Sequence, residues 1–137
     1  MTLPSLNILA IGVAALIEVI LGAMWFNAPF LFNKQWLVGI GKTAEQVAED
    51  ASPISLVAAV VGAIITAVIL ATFIGWMAID TWYGGLLVGL LAALGFSANT
   101  ALIKDRFEGR LTTLTLINAS HDLVILSLMG LVIGLWQ

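Results

Sequence analysis

The chain has 137 residues, of which 61% are hydrophobic and 9% are charged, and its formal net charge is −3. Soluble domains carry about 25% charged and about 45–50% apolar residues. A soluble fold of this length has too little interior to bury so much apolar surface, so the chain is predicted to lie in a lipid bilayer. The few cations exclude a nucleic-acid partner, which requires a basic face. The absence of cysteine excludes disulfides and thiolate chemistry.

Four apolar segments are long enough to cross a bilayer, which takes about 20 residues. They run over residues 4–27, 53–79, 81–103 and 111–136. Backbone N–H and C=O groups inside a bilayer need partners within the protein, so these segments are predicted to be helices. The first is too long for the apolar region of a cleaved signal peptide. We therefore expect an all-α fold, a polytopic bundle of four transmembrane helices that forms a single domain over residues 1–137.

The connection between the first two spans, residues 28–52, is long and mixed in character. Pro29 ends the first helix, because its ring disfavours helical geometry at the preceding residue. The apolar residues that follow it predict an elbow lying on the membrane surface. Thr43 and Gln46 have the spacing of a capping box, which predicts a short helix. Ser52 and Pro53 then predict an N-cap and a first helical position for the second span.

All the cations of the chain fall in the first and third connections: Lys34, Lys42, Lys104, Arg106 and Arg110. With four spans these two connections lie on the same side of the membrane. Under the positive-inside rule that side is cytoplasmic, so both termini are predicted to lie on the outer side.

Polar residues at membrane depth are the candidates for function. Glu18 lies near the middle of the first span and His121-Asp122 near the middle of the fourth. The two helices run antiparallel, so these groups are predicted to lie at the same depth, with Asn118 one turn before Asp122. An ionised side chain there costs about 2.5–3.5 kcal/mol on insertion scales. The four residues predict an intramembrane polar site with the composition of a proton relay. The alternative is that they hold helices together by hydrogen bonds.

Other chemistry has little support in the sequence. His121 is the only histidine, too few ligands for a metal site within one chain. No nucleophile with its base, no phosphate-binding glycine loop and no zinc motif is present. We therefore expect no cofactor, no metal and no enzymatic activity.

Small residues at a spacing of four predict close helix packing. Gly85 and Gly89 form such a pair on the third span, and Gly130 and Gly134 form one on the fourth. Some of these faces are expected to serve the bundle itself and at least one to serve a neighbouring copy, which predicts a homo-oligomer.

Two stretches carry a resemblance to a known family. The first stretch begins at Leu21 with Leu-Gly-Ala-Met-Trp-Phe, which includes Trp25, and continues through Pro29 to Trp36. It resembles that family's elbow motif. Phe107-Glu-Gly-Arg110, followed by Ile-Asn-Ala, Met-Gly and Gly-Leu-Trp, is similar to its closing segment. The family consists of small bacterial four-helix inner-membrane proteins catalogued as a domain of unknown function. The resemblance implies that location and architecture and brings no activity.

This sequence departs from the family pattern at several positions. Phe26 stands where Tyr is frequent, and Asn33 and Ser120 stand where Gly is frequent. The pair His121-Asp122 differs from the usual one, and Glu18 lies outside the motif. The matching blocks are interfacial, so elbow and loop are expected to lie together on the cytoplasmic side.

Three functions remain open from the sequence. The first is a small transport or permeation protein for protons or another small cation, working in the bilayer through the midplane polar site. The second is a non-transporting scaffold or accessory subunit that acts through its cytoplasmic loops and small-residue faces. The third, a membrane enzyme, has the least support.

Overall fold

The computed structural model describes residues 2–136, and within them every regular element is helical. The elements are α1 (Ile8–Asn27), α2 (Asn33–Ile40), α3 (Ala44–Asp50), α4 (Pro53–Trp76), α5 (Trp82–Ala92), a π-helical segment (Ala93–Ala98), α6 (Asn99–Phe107) and α7 (Thr112–Leu135). The predicted all-α fold class is confirmed.

Four helices are long and apolar enough to cross a membrane: α1, α4, the continuous stretch Trp82–Phe107, and α7. The first span begins at Ile8 and not at residue 4, because the side chain of Asn7 caps its free N–H groups. The third reaches Phe107, beyond the predicted residue 103, since the π segment and α6 prolong it. The chain is therefore a helical membrane protein, whose outward faces carry large apolar side chains such as Leu16 and Leu87.

Alternation of the spans gives the bundle two different ends. The two ends of the described chain, at Thr2 and Trp136, and the α4–α5 turn lie at one, the terminal end, where the Asn7 amide donates to the carbonyl of Trp136. There the indole of Trp76 also donates to the carbonyl of Thr2. The first connection and the α6–α7 loop lie at the other, which we call the basic end because all the cations are there.

The fourth spanning helix, α7, is the centre of the bundle. It packs most extensively against α5 and contacts α1, α4, α2 and α6 as well. Its fully buried side chains include Met129 and Ile133, which meet Ala14 of α1 and Ala67 of α4 in one apolar core. By contrast, α4 and α5 are consecutive in sequence yet scarcely touch. The bundle is thus closed around α7 and open between α4 and α5.

Glycines bring α5 and α7 into backbone contact. A Cβ atom on Gly85 would overlap the carbonyl of Gly130, and one on Gly89 would overlap the carbonyl of Leu126. A Cβ on Gly134 would in turn lie 2.9 Å from the Cα of Gly85. The two glycine pairs singled out in the sequence therefore pack against each other within one chain, as small-residue faces do in membranes.

The π segment keeps one face of the third span turned towards α7. Small or polar residues recur every four positions along it: Gly85, Gly89, Ala93, Ser97, Ala101 and Asp105. In a regular α-helix, with about 100° per residue, such a stripe drifts by about 40° at each step. A π segment winds less per residue and reverses the drift. As a result Gly89 and Ala93 are buried, while Ser97 and Asp105 both reach side chains of α7.

The first connection folds into two short helices where one was predicted. In α3 the predicted capping box is confirmed: Thr43 and Gln46 exchange side-chain and backbone hydrogen bonds. The elbow itself forms α2, which ends at Gly41 in the left-handed conformation that glycine permits (φ 68°). At Gly39 the lack of a side chain lets α2 rest on Leu114 of α7.

Candidate functional site in the bundle interior

Asp122 is held on both sides of its carboxylate. One oxygen accepts a short hydrogen bond from the hydroxyl of Ser97 in the π segment. The other lies 2.9 Å from Nδ1 of His121, its neighbour on α7. A carboxyl group with both oxygens engaged is fixed in orientation, so Asp122 is a positioned acidic group inside the bundle.

Glu18 and His121 each keep one polar atom free. The Oε2 atom of Glu18 and the Nε2 atom of His121 are buried and have no hydrogen-bond partner among the described residues. Gly22, one turn after Glu18, makes room for the imidazole, since a Cβ there would lie 3.3 Å from Nε2. Buried polar atoms are normally paired, so these two are the groups most available to a ligand or a proton.

One cavity of about 250 Å³ joins the two helices at this depth. Its lining includes the three ionisable residues predicted to lie together, Glu18, His121 and Asp122. A water molecule occupies about 30 Å³ in the liquid, so the space accommodates several waters or a small ion with part of its hydration shell.

Two further polar residues line the cavity, and neither was predicted to belong to the site. They are Thr66 of α4 and Ser97 of the π segment. Asn118 is not among the lining residues, although it lies one turn before Asp122. The four-residue periodicity that runs through Gly85, Gly89 and Ser97 is the sequence signal that identifies Ser97 as facing α7.

Aromatic side chains at the end of α1 contact His121 on the side of the basic end. The His121 ring centroid lies 4.9 Å from that of Phe26 and 6.0 Å from that of Trp25. Each of these packs on a residue of the first connection, Trp25 on Phe32 at 4.9 Å and Phe26 on Trp36 at 5.1 Å. The first connection is therefore linked to the polar site through Trp25 and Phe26 at the end of α1, which the sequence did not indicate.

A second polar group lies where α6 meets α7. The hydroxyl of Thr115, a buried residue, donates to Asp105 across 2.7 Å. Arg110 lies 3.6 Å from Asp105 and bonds Glu108 at 2.6 Å. The hydrogen bond to Glu108 and its negative charge raise the pKa of the Arg110 guanidinium above its usual value. These contacts fasten the loop to the start of α7.

The elbow and the α6–α7 loop lie at the same end of the bundle. The elbow helix α2 packs beside Leu111 and Leu114, at the first turns of α7. In the loop, Phe107 is 90% exposed and Arg110 turns to its own neighbours. Elbow and loop thus share the basic end, and both adjoin the start of α7.

The comparison with family models identifies the group. A model described as "Protein of unknown function (DUF1761)" matches residues 9–134. The chain belongs to this family. No curated protein and no solved structure matches it. The resemblance read from the elbow and the closing segment is confirmed, and it assigns no activity.

The polar site does not form a compact set of metal ligands. Among residues 2–136 no group of three or more His, Cys, Asp or Glu side chains has the geometry to hold a metal ion. The site is better described as a fixed carboxylate, Asp122, facing a carboxyl group with a free oxygen, Glu18, across a small polar cavity.

Proposed function

We propose that this protein moves protons or small cations across a bacterial inner membrane. The observation that carries the proposal is the cavity in which Glu18, His121 and Asp122 meet, with Oε2 of Glu18 and Nε2 of His121 both unpaired. Ionisable groups inside a membrane mark ion pathways and proton relays in other proteins. If these residues only held helices together, neutral side chains would do so at a smaller desolvation penalty.

The three ionisable residues take different parts in this proposal. Asp122 is held by Ser97 and His121 and supplies a second acidic group in a fixed orientation. Glu18 exchanges the proton or cation, because one of its oxygens is free. His121 passes the proton on through Nε2, and its ring is held against Phe26 at the end of α1.

Proton flux into proteoliposomes tests this function. A pH-sensitive dye inside the vesicles should show flux in the parent protein under an imposed gradient and none above background with Glu18→Gln or Asp122→Asn. Asp80→Asn, a matched change at an exposed residue of the α4–α5 turn, should keep parental flux. Circular dichroism establishes that each variant is folded. Equal flux in parent and Glu18→Gln, or none in the parent for protons, Na⁺ and K⁺, rules the proposal out.

A scaffold or accessory subunit is the second candidate. A shallow cleft of about 280 Å³ between α2 and the start of α7 favours it, since Lys34 and Val38 on one wall face Leu111 and Thr113 on the other. Val38 is 72% exposed. A photo-reactive residue at Val38 should then capture one defined protein, and one at Ile8, exposed at the terminal end, should not. Capture of lipid alone at Val38 contradicts this role.

The orientation belongs to the same proposal. Placing the basic end in the cytoplasm puts both termini outside. Reporter fusions at the C-terminus check this: alkaline phosphatase should be active there and green fluorescent protein dark. We also propose a homo-oligomer. The paired glycines serve α5 and α7, so the neighbour would use the small residues Ala58 and Gly62 on the outer part of α4.

A further inference from the structure

The gap between α4 and α5 is a groove that opens to the lipid. It has a volume of about 520 Å³, and most of its lining is apolar, with Ile65, Ile69 and Phe73 on one wall and Phe96 on the other. Phe96 is 77% exposed, so the groove is reached from the side of the bundle. Its size lies within the range of about 300–1,000 Å³ that is typical of pockets for small organic ligands.

The groove leads to the polar cavity. Thr66, Ser97 and Leu126 line both spaces, so the apolar groove and the cavity containing Glu18 share a wall. An occupant of the groove therefore meets the two hydroxyl groups first and the carboxyl groups behind them. This sequence of surfaces, from apolar to hydroxyl to carboxyl, suits a molecule with an apolar body and a cationic centre.

The charges of the site have one sign. The cavity contains two carboxyl groups and one imidazole, and neither the groove nor the cavity is lined by Lys or Arg. The titratable groups facing Glu18 are His121 and Asp122 of α7, while α4 and the π segment contribute only Thr66 and Ser97. An anion would meet unfavourable charge there. A strongly hydrated ion would gain nothing from the apolar groove.

We propose that the groove admits a lipophilic, monovalent organic cation from the bilayer, and that this cation binds at Glu18 beside Asp122 in exchange for a proton. This inference rests on the proposed function and names its substrate class. As the cation binds, the O–H bond of the Glu18 carboxyl breaks, the proton passes to water, and a carboxylate–cation pair replaces the neutral acid. One positive charge leaves as another enters. Phe73 and Phe96 favour the cation further through their ring faces.

Binding of tetraphenylphosphonium to the protein in nanodiscs of neutral lipid tests the inference. Equilibrium dialysis, corrected with empty nanodiscs, should give saturable binding that tightens as the pH rises, because protons compete for Glu18. Tetraphenylborate, which has the same shape and the opposite charge, should not bind saturably. Glu18→Gln should weaken phosphonium binding by at least about tenfold, the effect of losing one close charge pair. Equal binding of both ions by the parent overturns the inference.

Obstruction of the groove separates this inference from the proposed function. Ile69→Trp and Ile65→Trp, both in the groove wall, should weaken phosphonium binding by about tenfold and leave the fold intact. Leu87→Trp, at an exposed position on α5 outside the groove, should bind as the parent does. Unchanged binding in both obstructed variants overturns the groove as entrance. If proton flux depends on Glu18 but the protein binds no phosphonium, only the inference is overturned. If the parent protein shows neither proton flux nor phosphonium binding, the proposed function is overturned as well.

Discussion

The third spanning helix has two sides that differ in how they meet the rest of the bundle. Towards α7 its glycines allow backbone contact, and no space remains between Gly85 and Gly130. Towards α4 it carries Phe96 and leaves an open groove. Both sides are apolar, and inside a bilayer apolar character does not by itself draw helices together. The difference teaches that side-chain size decides which pair of helices closes and which stays apart.

The largest effect is expected from disrupting the closed side of the third spanning helix, which is the side in backbone contact with α7. Gly89→Ala places a methyl group on the carbonyl of Leu126, so α5 and α7 must separate. Overpacking of this kind costs about 1–3 kcal/mol or more. Unfolding in mixed detergent, followed by tryptophan fluorescence, measures it. Gly12→Ala is the matched control, since a Cβ at Gly12 meets nothing within 4 Å. A stability loss at position 12 as large as that at 89 contradicts the proposed role of backbone contact.

The next largest effect is expected at the basic end, where α6 contacts α7. Thr115→Val keeps the shape of the side chain and removes the hydrogen bond to Asp105, which ties α6 to α7. Hydrogen bonds to charged groups are worth about 1.5–3 kcal/mol, and the unfolding free energy should fall by that amount. Thr113→Val, at an exposed residue two positions earlier, should change it by less than about 0.5 kcal/mol. Similar losses in both variants exclude the Asp105 contact as the cause.

A smaller effect is expected at Ser97, where the closed side of the third spanning helix borders the polar cavity. Ser97→Ala removes the donor to Asp122 and should lower the unfolding free energy by about 0.6–1.7 kcal/mol, the range for hydrogen bonds between membrane helices. Ser120→Ala removes only a hydroxyl bonded within its own helix and should be close to neutral. If Ser97→Ala is as stable as the parent and has the same proton flux, the hydroxyl contributes neither to packing nor to the site.

The smallest effect is expected in α3, which belongs to neither side of the third spanning helix. Thr43→Ala removes one half of the capping box and should cost about 1 kcal/mol of local helix stability. Hydrogen bonds from the backbone and from Thr43 lower the pKa of Glu45 in this first turn. The ionised Glu45 side chain therefore stabilises α3 at pH values above the pKa that it has in the unfolded chain. This stabilisation is lost as the pH falls through the lowered pKa of the folded state. The protection factors of the amides in Ala44–Asp50, corrected for the intrinsic exchange rate at each pH, should fall with the substitution and on acidification, while those of α5 stay unchanged.

Much of the fold follows from the sequence because single segments determine it. Span length, the Ser52–Pro53 start of α4 and the capping box of α3 are local, and the structure contains all three. The depth of Glu18 and of Asp122 also follows from counting along two antiparallel helices. The π segment, the contact of Phe26 with His121 and the gap between α4 and α5 depend on which helices adjoin. A hydropathy pattern contains little of that information, although the four-residue spacing ending at Ser97 indicates part of it.

The pairing of the first spanning helix with the last has a consequence for biosynthesis. About a hundred residues separate Glu18 from His121, so at about 5–20 residues per second α1 is made roughly 5–20 s before α7. During that time Glu18 has none of its partners on α7, and an ionised carboxylate alone in lipid costs about 2.5–3.5 kcal/mol. The first helix is therefore least stably inserted until translation ends. Premature chain termination before α7 should leave a product that the quality-control proteases of the membrane remove.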